Sequence, residues 1–138
     1  MGELHYLSLY IDRHSNISYI DSDSKLETDK VMVKIPSNFI RGHIDTIILK
    51  LLLDNDKYGY EISKTITAAT QGEYELHEAT MYSSLKRLEQ DGYVKSYWGD
   101  ESQGGRRKYY TVTTEGTQLY YQNKRQWEAA KRLIDQLI

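Results

Sequence analysis

Apolar positions along the chain change their period several times, and each change predicts an element. Tyr6-Leu7-Ser8-Leu9-Tyr10-Ile11 and Ile17-Ser18-Tyr19-Ile20 are short β-prone runs. The turn-like Arg13-His14-Ser15-Asn16 lies between them. A polar stretch, Asp21 to Lys30, precedes a third apolar run, Val31-Met32-Val33, so a small β-meander is expected over the first 35 residues. From Pro36 the period becomes helical. Ser37 is the expected N-cap, and Ile40, Ile44, Ile47, Ile48, Leu51 and Leu52 form one apolar stripe that Asp54-Asn55-Asp56 ends. A second helix is expected over 58–69, with Tyr58, Ile62, Ile66 and Ala69 on one face, and a third over 77–90, burying Met81, Leu85 and Leu88. Asp91-Gly92 ends the third helix. Two aromatic-rich strands then flank a glycine-rich loop within 93–111, the pattern of a hairpin. A final helix is expected from about Thr114, which can cap it, with Gly116 weakening the first turn. Its apolar positions follow a heptad, with Tyr120, Trp127 and Ile134 at one place and Asn123, Ala130 and Leu137 at the other. That is a seam for another helix, and a partner chain is its expected recipient.

The fold class that follows is α+β, mainly α. A winged helix-turn-helix at 36–113 stands between a β-prone extension at 1–35 and a dimerisation helix at 114–138. The third helix is the size of a DNA major groove, and the hairpin, or wing, can lie along the phosphate backbone. The helix face opposite Met81, Leu85 and Leu88 carries Ala79, Ser83, Lys86, Arg87 and Gln90, with Thr80 beside it and Tyr82 at the flank. Small residues near its start permit close approach to base edges, and the cations reach guanine or phosphate oxygens. In the wing, Gly104 and Gly105 allow a tight bend, and Arg106, Arg107 and Lys108 stand where a wing meets phosphate. The acidic pair Asp100 and Glu101 on the same loop argues against deep insertion into the minor groove.

Charge tempers this expectation. The chain carries −2 overall, divided as −2 over 1–35 (4 basic, 6 acidic), −1 over 36–113 (10 and 11) and +1 over 114–138 (4 and 3). Non-specific affinity for nucleic acid should be modest, so a small cationic cluster must be used twice, as in a dimer. The acidic N-terminal segment is expected to pack on the winged-helix body rather than face the operator. Cysteine is absent and the four histidines show no ligand spacing, so no cofactor or metal is expected. With no membrane-length apolar run and no signal pattern, a reducing cytoplasm is the expected location. No nucleophile–base pair or phosphate loop suggests an enzyme. The alternative to a DNA-binding regulator is a winged-helix interaction module that engages a protein partner through an edge of its β extension.

One resemblance sharpens these expectations. Tyr58-Gly59-Tyr60-Glu61-Ile62, Glu78-Ala79-Thr80-Met81-Tyr82, Leu85 to Gly92 and Gly104 to Tyr110, in this order, resemble the PadR family of bacterial transcriptional regulators. The likeness runs from Ile35-Pro36 to about Trp127, and the wing from Ser96 to Tyr110 is most similar to that of a lactococcal multidrug-responsive member. The resemblance implies a homodimeric repressor on an inverted-repeat operator, joined through the first and last helices. It also implies a central slot in which paired tryptophans stack on planar aromatic drugs. Trp127 is the matching position, with Phe39, Gly42, Asp45 and Lys131 as further walls. Asp45 would attract a cationic ligand, whereas Lys124 and Lys131 disfavour one. Residues 1–34 have no counterpart in small family members, and translation from Met32 instead of Met1 is conceivable.

Overall fold

The computed structural model describes residues 33–99 and 105–138, together with the backbone of three short strands nearer the N-terminus. The chain divides into two units, 1–35 and 36–138. In the first, β1 (Ser8–Ile11), β2 (Ile17–Ile20) and β3 (Leu26–Glu27) form an antiparallel sheet in sequence order. Ser8 stands opposite Ile20, and Ile20 opposite Leu26. The meander has the expected order, but its third strand is not Val31-Met32-Val33. Val31 and Met32 lie outside the described residues, and Val33 is exposed coil.

In the second unit the expected first helix is two pieces, α1 (Ser37–Arg41) and α2 (Ile44–Asp54), separated at Gly42-His43. Ser37 is not the cap. Pro36 holds the cap position in extended backbone, with no side-chain bond to the helix. The stripe of α2 buries Ile44, Ile48, Leu49 and Leu52. Its far end is closed by a buried residue that apolar periodicity could not reveal. The Lys57 ammonium donates to the carbonyls of Leu51 at 3.0 Å and Asn55 at 3.3 Å, and to the Asn55 side-chain oxygen. A cation at a helix C-terminus satisfies carbonyls that the helix itself leaves unpaired.

Tyr58 is not helical. Lys57–Tyr58 form β4, and α3 runs from Gly59 to Ala69, burying Ile62 and Ile66 but leaving Ala69 exposed. Gln71 and Gly72, at φ 50° and 80°, turn the chain away after α3. Leu76 then enters the core before α4 (Glu78–Gln90). α4 buries Met81, Leu85 and Leu88 as expected, and Ser84 as well. β5 (Val94–Gly99) and β6 (Arg107–Val112) pair antiparallel, and β4 joins the other edge of β6, so the sheet order is β4-β6-β5.

α5 (Thr114–Leu137) is capped by Thr113 rather than Thr114. The Thr113 hydroxyl accepts from the Gly116 amide at 3.0 Å and donates to the Gly92 carbonyl at 2.7 Å. Gly116 is buried, and a Cβ there would overlap the Tyr93 carbonyl oxygen. Its role is close approach to the base of the wing, despite the helix propensity it forgoes. The first half of α5 packs on α2 of the same chain. Tyr120 is buried among this unit's own core residues, and the Asn123 amide donates to the Thr46 hydroxyl at 2.9 Å. Tyr120 and Asn123 are therefore not open seam positions. Their partners are intramolecular, because α2 covers that stretch of α5.

Candidate nucleic-acid interface

α4 presents Ala79, Thr80, Tyr82, Ser83, Lys86, Arg87 and Gln90 to solvent. α3 and α2 hold it from behind, through the apolar stripe that the sequence pattern requires. Two of these side chains are anchored. The Tyr82 hydroxyl and ring edge occupy the space where a side chain at Gly59 would stand, so this glycine lets Tyr82 lie across the start of α3. Arg87 donates to the Asp45 carboxylate at 2.6 Å, and that bond, with the attraction of the same charge, raises the guanidinium's pKa further. The two residues were expected in different places, Arg87 on DNA and Asp45 in a ligand slot. Asp45 is therefore paired with Arg87 rather than standing alone. The pair is half-open to water, so it orients Arg87 more than it stabilises the fold.

The wing has two chemically distinct faces. Side chains alternate across a strand, and the register sets Trp98 opposite Lys108, Tyr97 opposite Tyr109 and Gly99 opposite Arg107. On one face the rings of Tyr97 and Tyr109 stack at 5.6 Å, and Tyr58 from β4 meets Tyr109 edge-on at 5.6 Å. Arg107 lies over the Tyr58 ring at 4.6 Å. The Tyr97 hydroxyl donates to Asp56 at 2.6 Å, which raises the pKa of that phenol. Gly99 leaves room for the Tyr109 ring, since a Cβ there would stand 2.5 Å from it. The other face carries Val94, Ser96, Trp98, Lys108 and Tyr110, and meets α4. There the Ser96 hydroxyl donates to Glu89 at 2.5 Å, and burial raises the pKa of Tyr110. Arg107 and Lys108 thus lie on opposite faces of the hairpin rather than along one edge with Arg106. Gly105 has φ 106°, as the expected bend requires. Asp100, Glu101 and Gly104 lie outside the described residues.

At the other candidate site, Trp127 meets His43 edge-on, with ring centroids 4.9 Å apart. His43 was not anticipated as a neighbour, since only the break between α1 and α2 brings it there. Phe39 and Gly42 are exposed, as are Ile134, Leu137 and Lys131, while Ala130 is half-buried. Glu128 pairs with Lys131 at 3.0 Å and Lys124 at 3.6 Å, and the bond to Lys131 lowers its carboxyl pKa. The cationic excess expected from the two lysines is halved by this carboxylate. Among the described residues no group of histidines and carboxylates could hold a metal, and no helix is long and apolar enough to cross a membrane.

A three-helix core, a three-stranded wing and an exposed helix face bearing Lys86 and Arg87 have the architecture of a winged helix-turn-helix DNA-binding protein. Comparison with known proteins names the family. Residues 48–122 match the Transcriptional regulator PadR-like family, and the chain belongs to it. It is similar to an uncharacterised protein of Lysinibacillus sphaericus, 43% identical over 101 residues that cover 73% of this chain and 93% of that one. Among solved structures it is similar to a transcriptional regulator from Clostridium thermocellum, with 48% identity and TM-score 0.70 over 75% of this chain and 98% of that one. It is also similar to a PadR family regulator from Clostridium difficile, with 41% identity and TM-score 0.61 over 70% and 98% of the two chains. The protein is thus a DNA-binding transcriptional regulator and not an enzyme.

Proposed function

We propose that the protein is a homodimeric repressor that holds an inverted-repeat operator with one α4 and one wing from each protomer. The observation that carries this reading is the far end of α5. Beyond its packing on α2, the helix exposes Leu133 and Ile134, each at 51%, and Leu137 at 82%. An apolar face of this kind on a helix calls for a partner helix. A two-fold dimer requires a two-fold site, with half-sites about 34 Å apart, one turn of DNA. Ala79, Thr80, Ser83 and Lys86 lie at the groove, with Tyr82, Gly105 and Arg106 against backbone. Light scattering should find a dimer that Ile134→Asp converts to monomer with loss of operator binding. Lys86→Ala should cost about 1–3 kcal/mol of affinity for DNA selected from random sequence. A monomeric parent protein at micromolar concentration, or unchanged affinity in Lys86→Ala, refutes this reading.

The effector slot belongs to the same proposal. Trp127, 40% exposed, and Phe39, 68% exposed, offer aromatic surface, and Gly42 and Lys131 are exposed as well. With Asp45 committed to Arg87 and one carboxylate set against two lysines, neutral or anionic planar aromatics suit it better than cations. The slot is carried over from the resemblance to a multidrug-responsive member, whereas the charge preference rests on Lys124, Lys131 and Glu128 of this chain. Such compounds should quench Trp127 in a Trp98→Phe background and weaken operator binding. A ligand that quenches without changing affinity lacks the differential binding that release requires.

A further inference from the structure

Within the DNA-binding reading of α4 and the wing, on which this step rests, we infer that Trp98 and Lys108 are the wing's DNA contact. The indole packs on deoxyribose, and the ammonium meets the adjoining phosphate. Arg107, one residue from Lys108, braces the wing from its other face.

Three observations carry this. First, Trp98 and Lys108 are directly opposed across β5 and β6, so they form a single cross-strand pair. Second, that pair is on the side that meets the recognition helix. Ser96, two residues before Trp98, bonds Glu89 of α4, and Tyr110, two residues after Lys108, is buried in the core. Following this face outward along the hairpin leads from buried core to open surface, where Trp98 stands 61% exposed and Lys108, its ammonium 5.8 Å from the Tyr110 ring centroid, is exposed across from it. Third, the opposite face is already occupied by its own side chains. Tyr58, Tyr97 and Tyr109 pack on one another, Arg107 lies over Tyr58, and Tyr97 bonds Asp56.

An exposed indole is a large apolar surface whose occupant must offer a flat or apolar contact. A lysine directly across the ladder from it selects an occupant that is also anionic. The sugar–phosphate strand of duplex DNA supplies both, alternating apolar sugar faces with charge. Because sugar and phosphate repeat without regard to sequence, the pair adds affinity and register rather than base selectivity.

The test uses the full chain with a fluorescently labelled duplex, either selected from random sequence or left random. Trp98→Ala should weaken both duplexes by about ten-fold, as loss of one aromatic packing contact predicts. Trp98→Phe should recover most of that loss. Lys108→Ala should make the slope of log affinity against log salt shallower by about one, the effect of one phosphate contact. Duplex binding should quench a tryptophan component that is missing in Trp98→Phe, a readout that does not depend on Trp98→Ala folding. If Trp98→Ala and Lys108→Ala bind like the parent while Lys86→Ala is weakened, the inference falls and the DNA-binding surface on α4 stands. If Lys86→Ala is unaffected as well, the wider reading of that surface falls with it. If Trp98→Ala weakens only the selected duplex, the contact is to bases and the sugar–phosphate assignment is wrong.

Discussion

Replacing Gly116 by alanine separates two physical effects of opposite sign. In a helix, alanine is favoured over glycine by about 1 kcal/mol. At Gly116, however, the added Cβ would overlap the Tyr93 carbonyl oxygen and stand 2.8 Å from Val112 Cγ2. The obstacle is mainly backbone, and that backbone is itself tied down, since the Thr113 amide donates to the same carbonyl at 3.1 Å. Relief requires either moving the start of β5 or lifting α5 from the sheet. Overpacking of this kind costs about 1–3 kcal/mol, and backbone overlap puts Gly116→Ala at the upper end. After the gain in propensity, a net loss of about 2 kcal/mol remains. For a unit of this size that lowers Tm by about 8 °C or more. Gly42→Ala is the paired control. Its φ of −70° suits any residue, and nothing lies within 4 Å of its Cβ position. That variant should be neutral or gain up to about 1 kcal/mol. The assay is thermal and urea unfolding by circular dichroism at one fixed protein concentration, because a dimer's apparent stability depends on concentration. If Gly116→Ala is as stable as the parent, the close approach of α5 to Tyr93 is not what the glycine serves.

Lys57→Met removes the ammonium that closes α2 and strands the carbonyls of Leu51 and Asn55. It should cost about 1–3 kcal/mol in urea unfolding, and a neutral result would mean that water replaces the cap without loss. Tyr74 and Tyr110 are raised by burial and Tyr97 by its bond to Asp56, so these phenols ionise later in the folded chain than in the unfolded one. Their contribution to stability is therefore full below the ordinary phenol value of about 10 and drains away as pH rises above it. Spectrophotometric titration should show Tyr74, Tyr97 and Tyr110 ionising later than a free phenol, with the urea midpoint falling over the same range. A single uniform titration contradicts this. Asp45→Asn should change stability by less than about 1 kcal/mol, because the pair is half-exposed. It should also free Arg87 for phosphate, raising affinity for random duplex and steepening the salt slope by about one. A drop in that affinity would mean that Asp45 holds Arg87 in its productive place.

What could be read in advance followed from local periodicity. The stripe Met81, Leu85, Leu88 announces α4 because a helix repeats its buried face every three or four residues. Gly104-Gly105 between aromatic runs announces the wing because the bend demands left-handed backbone, and Gly105 has it. What was missed depends on residues far apart in sequence. β4 is two residues long and exists through pairing with Tyr109 and Tyr110, some fifty positions away. Lys57 reads as a surface lysine until the end of α2 folds over it. Tyr120 and Asn123 fit a heptad seam equally well whether the recipient is a partner's helix or α2 of the same chain. At the site, the exposed face of α4 was legible residue by residue. The separation of Arg107 from Lys108 needed the strand register, which no local pattern states.

The root of α5 sets the mechanics of the molecule. Thr113 and Gly116 clamp its first turn to the base of the wing, and Asn123 fastens its next turns to Thr46. The whole helix is 24 residues, about 36 Å of stiff rod, held over its first ten residues. A rod gripped at one end cannot swivel there, so a displacement imposed near its tip is carried inward as rotation of the whole winged unit. About 3 Å of movement at the tip corresponds to roughly 5° at the root over that length. The same clamp works in the opposite direction, so strain applied to the wing by a misfitting DNA would be felt at the far end of α5.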